Sequence, residues 1–219
     1  MGRHQRPTCG ICQRYTYDLV GYMGGFFMQC NREEYVEGNI FHFYNRTVPG
    51  KLLFRCENDY LYFLEKFGKS ISRYPCDVYA YCLMPNHFHF CLKQNSDKPL
   101  YRILNDTLTS YAMHYNAKYK LIGHLMSGRL QSRRITERSY VLQVCRYIHY
   151  NPVKAGLVDR IDDWSFSNYL EIVGKREGIL YSQELIDDYP EEFLDYEKSI
   201  KMYEAYVNDT GFADVLFDE

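Results

Sequence analysis

Three observations predict an α+β fold of the ferredoxin-like, split βαβ type. Apolar and polar residues alternate in several short runs, as they do in strands. Two long segments instead repeat apolar residues at helical spacing. The order of these elements reads β-α-β-β-α-β. That order predicts a sheet antiparallel at least in part, with helices on one face. A chain of 219 residues, 46% of them apolar, can bury a core for one domain with additions.

The first strand is "NIFHFYNRT" (39–47), whose alternation is regular. "ENDYLYFLEKFGKSI" then places Tyr60, Phe63, Leu64 and Phe67 on one helical face, with Asn58 or Asp59 able to cap it. "CDVYAYCLM" is the second strand and "HFHFCLK" the third. Pro85 and Asn86 join them tightly as a hairpin. "PLYRILNDTLTSYAMHYNAKY" is a helix with Pro99 near its start and a stripe of Leu100, Ile103, Leu104, Leu108 and Tyr111. "GHLMSGRLQSRRI" is short and basic, a fourth strand or an extended loop. "ERSYVLQVCRYIHY" is a further helix with Val141, Val144, Cys145 and Ile148 inward, and "NPVKAGL" begins a new turn or helix after it. Beyond Asp159 the chain reads mostly as helix, with a stripe of Phe193, Ile200, Tyr203 and Val207. The expected organisation is a leader over 1–35, a main domain over 36–158 and an acidic, mostly helical extension over 159–219.

The net charge of −2 conceals an asymmetry. Residues 159–219 hold 17 acidic and 5 basic residues, whereas residues 1–158 hold 11 acidic and 21 basic. The first part has the electrostatics of a polyanion binder. No apolar run has the length of a membrane span, and no basic-then-apolar signal opens the chain, so a cytoplasmic protein with no membrane partner is expected. Of eight cysteines, Cys56, Cys76, Cys82, Cys91 and Cys145 sit singly among apolar residues, as reduced core thiols do. Cys9 and Cys12 form "CGIC", a zinc site only if His4 and Cys30 complete it, and otherwise part of a loosely ordered leader.

The third strand raises the functional question. In "MPNHFHF", His87 and His89 lie two residues apart, so their imidazoles share one face of the strand, while Phe88 points into the core. Two imidazoles at that spacing can converge on one cation, leaving open positions for water or substrate. They can equally be two partly exposed histidines on a wet face. The densest basic stretch supplies candidate DNA contacts: Lys118, Lys120, Arg129, Gln131, Arg133 and Arg134.

"MPNHFHF" followed by "RYIHYNPVKAGLV" resembles the single-tyrosine HUH transposases of bacterial insertion sequences, and looks closest to their REP-associated tyrosine transposase branch. "FHFYNRT", "GHLMSGRLQSRRI" and "DWSFSNY" extend the similarity over about residues 36–170. The resemblance implies an HUH endonuclease-type fold and a tyrosine that attacks a phosphodiester of single-stranded or hairpin DNA. It implies a 5′-phosphotyrosine intermediate, a free 3′-hydroxyl and strand transfer. The matching nucleophile is Tyr147, with Tyr140 and Tyr150 as rivals. The implied Mg²⁺ or Mn²⁺ ligands are His87, His89 and, one turn beyond the tyrosine, Asn151. Residues four apart on a helix are neighbours, so Tyr147 and Asn151 can share a face. Asn151 precedes a proline, however, and as an alternative caps the segment that follows. A non-catalytic nucleic-acid-binding protein on the same scaffold and a metal hydrolase that activates water without linking to DNA are the other readings of the chain, and monomer and homodimer are both compatible with the resemblance.

Overall fold

The computed structural model describes residues 35–178 and 196–209. The leader's Cys9, Cys12, His4 and Cys30, and Phe193 with the side chain of Ile200, lie outside the described residues. The elements run β1 (Ile40–Arg46), α1 (Glu57–Ile71), β2 (Cys76–Met84), β3 (His87–Gln94), α2 (Tyr101–Tyr119), β4 (Gln131–Ile135) and α3 (Arg138–Lys154). A 3₁₀ turn (Ile161–Asp163), a short α4 (Tyr169–Ile172) and α5 (Tyr196–Asn208) follow.

The four strands form one sheet in the order β2-β3-β1-β4, and every pairing is antiparallel. This is the split βαβ arrangement expected: β3 separates β1 from β2, and β1 separates β3 from β4. Strand alternation divides the sheet into two chemically different faces. Phe41 and Phe43 of β1, with Phe88, Phe90 and Leu92 of β3, form the first and are completely buried. Here α1 and α2 pack, and Phe63 of α1 meets Phe88, Phe90 and Tyr111. Each such ring stabilises the fold by about 1.5–3 kcal/mol through burial.

Helices were expected on one face only. α1 and α2 take that face, but α3 crosses the other, against β2 and β3. The apolar stripe of Val141, Val144, Cys145 and Ile148 is buried, and it needs an apolar partner that only the second face offers. α3 also runs further than expected. "NPVK" does not start a new helix; it is the last turn of α3, with Pro152 inside it. The Ala155 N–H donates to the Asn151 carbonyl at 2.9 Å, so helical bonding passes straight through the proline. Burial of Ile148, Asn151 and Pro152 outweighs the local preference against helix before a proline.

Another correction concerns α1. Cys56, not Asn58 or Asp59, is its N-cap. Asp59 sits three residues into the helix and reaches back to accept the Arg55 and Cys56 N–H groups at 2.8 and 3.3 Å.

Residues after α3 close the exposed edge of β2. The Leu83 N–H donates to the Phe166 carbonyl at 2.9 Å, and the Trp164 indole N–H to the Leu83 carbonyl at 3.2 Å. α5 lies behind α3, where Tyr203 and Val207 are fully buried, as the stripe predicted. The five cysteines of the described residues are all free thiols.

Candidate active site

The second face of the sheet carries the chemistry. Along β1 it presents His42, Tyr44 and Arg46; along β3, His87, His89 and Cys91. Tyr44 pairs with His89 and Arg46 with His87. Arg133 and Gln131 of β4 pair with His42 and Tyr44, which puts them on the same face. Tyr147 descends from α3 onto this surface.

The hairpin turn fixes His87. The Pro85 carbonyl accepts N–H groups from Leu53 and Phe54, at 2.7 and 3.2 Å. The Asn86 carbonyl accepts the Thr47 N–H at 2.8 Å. The turn is therefore braced from outside the hairpin, and half-buried His87 follows it directly. His87 Nδ1 stands 2.6 Å from Asn86 Oδ1. An amide oxygen only accepts, so His87 donates through Nδ1 and keeps a bare lone pair on Nε2.

His89 lies one step deeper and is 1% exposed. Its ring centroid is 5.1 Å from that of His87 and 5.6 Å from that of Tyr147. His89 Nε2 is buried and has no hydrogen-bond partner among the described residues. A buried polar atom left without a partner costs about 1–3 kcal/mol, so it points to a ligand the side chain is meant to bind.

Tyr147 is half-buried, edge-on to His89 and, at 6.1 Å between centroids, to His42. The Lys154 ammonium lies 5.8 Å from the centre of its ring. Asn151 sits one turn further along α3, and its Nδ2 donates to the Tyr147 carbonyl at 2.9 Å. Its helical backbone rules out the capping role. With the amide nitrogen engaged, Oδ1 is the atom left to offer a cation. The rivals are set apart: Tyr150 faces Arg146, 5.6 Å from its ring, and Tyr140 stands at the start of the helix.

The site holds neutral imidazoles. Burial, helped by the charge of Arg133, lowers His42 from 6.5 to about 3. Burial and Arg46 lower His87 to about 4. Burial, the two neighbouring histidines and Arg46 hold His89 well below its ordinary value. Neutral imidazole is the form that binds metals. Among the described residues no three His, Cys, Asp or Glu side chains are grouped to hold a metal ion. A cation held by His87 and His89 would have two imidazole nitrogens and need oxygen for the rest, which Asn151 Oδ1 can offer. That mixed donor set fits Mn²⁺ better than Mg²⁺.

These values also set an acid limit on the fold. Away from the sheet, His149 is fully buried and lowered to about 4 by desolvation. An imidazole kept neutral by folding contributes full stability above its unfolded value of about 6.5 and loses it as pH falls towards the folded value. Each such group costs up to about 1.4 kcal/mol per pH unit within that window. Urea unfolding at pH 7 and at pH 5 should therefore differ by several kcal/mol, and equal stabilities would contradict the burial of these rings.

Residues 41–151, just over half of the chain, match the family described as "Transposase IS200 like". The chain belongs to the IS200-like transposase family. A curated Haemophilus influenzae protein named for the REP-associated tyrosine transposases is 27% identical over 118 residues. That match covers 49% of this chain and 66% of the relative, just under two thirds of its length. A solved structure of a REP-associated tyrosine transposase bound to a REP hairpin superposes with a TM-score of 0.58 at 18% identity, over 71% of this chain and 94% of that one. Its likeness is one of fold.

In this IS200-like family member the expected DNA contacts scatter. Gln131, Arg133 and exposed Arg129 lie on or beside the histidine face. Arg134 alternates to the opposite face and donates to Asn39 Oδ1 at 3.1 Å. Lys118 and Lys120 close α2, in the helical layer across the sheet. The Lys118 ammonium is 2.6 Å from the buried Asp59 carboxylate. Three site residues escaped the sequence reading: His42, Tyr44 and Arg46. The signal was there, because "FHF" occurs at 41–43 and again at 88–90. Among the described residues no helix is long and apolar enough to cross a membrane.

Proposed function

We propose that this IS200-like family member is a metal-dependent tyrosine transposase that cleaves single-stranded or hairpin DNA and transfers the strand. The observation that carries the reading is the meeting of Tyr147 with His89, 5.6 Å between ring centres, beside an imidazole nitrogen that is buried and unpartnered. His87, His89 and Asn151 would hold Mg²⁺ or Mn²⁺. When bound, such an ion supplies Lewis-acid stabilisation of the scissile phosphate.

The chain's own groups do the rest. The Tyr147 oxygen loses its proton and attacks phosphorus, a new O–P bond forms, and the bond to the 3′ oxygen breaks as that oxygen takes up a proton. The products are a 5′-phosphotyrosine and a free 3′-hydroxyl. The phosphotyrosine keeps the ester linkage, so another 3′-hydroxyl can later take the strand without ATP. Arg46 and Arg133 flank the site on β1 and β4 and are exposed, as phosphate contacts must be. Tyrosine and histidines adjoin within one chain, which supports an active site complete in a monomer.

The test is a denaturing gel on single-stranded and hairpin oligonucleotides labelled at either side of the nick. Wild-type protein with Mn²⁺ should give the strand 3′ of the nick linked to protein through its 5′ phosphate and the strand 5′ of the nick released with a free 3′-hydroxyl, and EDTA should remove both. DNA binding indifferent to EDTA, with no cleavage on any substrate, would replace this reading by a non-catalytic binding protein.

A further inference from the structure

The histidine face contains a third imidazole that the proposed chemistry leaves without a task. His42 lies on β1 and is 1% exposed, sealed between the sheet and α3. Its Nε2 is 3.1 Å from His89 Nδ1. A hydrogen bond at that distance needs one proton between the two nitrogens.

Only one placement of that proton leaves the neighbouring site usable. If His42 donated, His89 would carry its own proton on Nε2. That would put a proton where a cation would bind and block the nitrogen from it. If His89 donates, Nε2 keeps a lone pair. Resting on the reading that His87 and His89 hold a divalent ion, we infer that His42 is a positioning residue. It accepts the His89 Nδ1 proton, and so fixes both the tautomer and the ring orientation that turn Nε2 to the cation.

His87 supplies an internal comparison. Its Nδ1 meets Asn86 Oδ1 at 2.6 Å, so the turn does for the outer imidazole what β1 does for the inner one. The choice of partner follows from depth. Asn86 is exposed, whereas a carboxylate in the place of His42 would bury a charge. A neutral imidazole accepts the proton without that penalty. The repeated "FHF" follows as well: in both strands the phenylalanines fill the core and the histidine between them faces α3.

The experiment titrates the full chain with Mn²⁺ alone, reading free ion by electron paramagnetic resonance. Wild type is compared with His42→Phe, His42→Gln and His89→Ala. Phenylalanine keeps the ring and its packing but cannot accept a proton. The glutamine carbonyl can. His42→Phe should raise Kd about 10–100-fold, the range for loss of an outer partner of a ligating histidine, and His42→Gln should restore most of the affinity. Nitrogen-15 spectra of the metal-free wild type should show His89 protonated at Nδ1. Unchanged affinity in His42→Phe, equal losses in both variants, or a proton on His89 Nε2 would overturn the inference. The spectra decide it alone if His42→Phe does not fold. Wild type that binds no Mn²⁺, or His89→Ala that binds it undiminished, would instead remove the metal reading, a separate failure.

Discussion

Tyr147→Phe should abolish the covalent protein–DNA adduct and slow cleavage by at least about 10³-fold, some 4 kcal/mol in the barrier. The substitution deletes one oxygen and keeps the ring. The edge-on contacts to His42 and His89 are therefore preserved, and so is the helix that carries the side chain. Tyr147 is half-buried, so removing its hydroxyl should cost less stability than at a fully buried position. Folding and DNA affinity should stay close to wild type. Any residual nick would come from water and leave a 5′ end that is not linked to protein. Tyr150→Phe is the matched control, because its ring faces Arg146 and not the imidazoles. A normal adduct in Tyr147→Phe, or its loss in Tyr150→Phe, would assign the nucleophile elsewhere.

Period and order made most of the scaffold legible. Three strands, three helices and the Pro85–Asn86 hairpin fall where alternation and helical stripes put them, because one buried face forces a regular pattern on the sequence. The His87–His89 pair was legible for the same reason, since a period of two leaves no choice of face. What was not legible depends on partners distant in sequence. His42 becomes part of the site only through the β1–β3 register, which sets it near His89 across 47 residues. The basic stretch looked like one patch, yet alternation sends Arg133 and Arg134 to opposite faces. Lys118 serves a carboxylate on α1, which no local pattern announces. The helix through Pro152 is a case of packing overriding a local rule, and it decides the placement of Asn151.

"DWSFSNY" shows the same limit in a place where the stakes for stability are high. Its Asn168 is completely buried beneath α3 and satisfies three groups with one amide. Oδ1 accepts the Tyr81 N–H at 2.7 Å and lies 2.9 Å from His149 Nε2; Nδ2 donates to the Tyr79 carbonyl at 3.4 Å. Because Oδ1 only accepts, His149 carries its proton on Nε2, and its Nδ1 accepts from the Tyr203 hydroxyl at 2.8 Å. One side chain thus ties the edge of β2 to α3, and through His149 to α5. Asn168→Ala would leave a ring N–H, a backbone N–H and a carbonyl buried together, each costing about 1–3 kcal/mol if no water reaches it. A loss of about 3–5 kcal/mol in urea unfolding is expected, enough to threaten the fold of an ordinary domain. His149 is two residues from Tyr147 on the same helix, so whatever protein remains folded should also cleave more slowly, with Mn²⁺ affinity less affected because His87 and His89 are held by the sheet. A loss below about 1 kcal/mol would mean that a water replaces the amide, and that the apolar stripe with the Tyr203 and Arg146 contacts holds α3 in place.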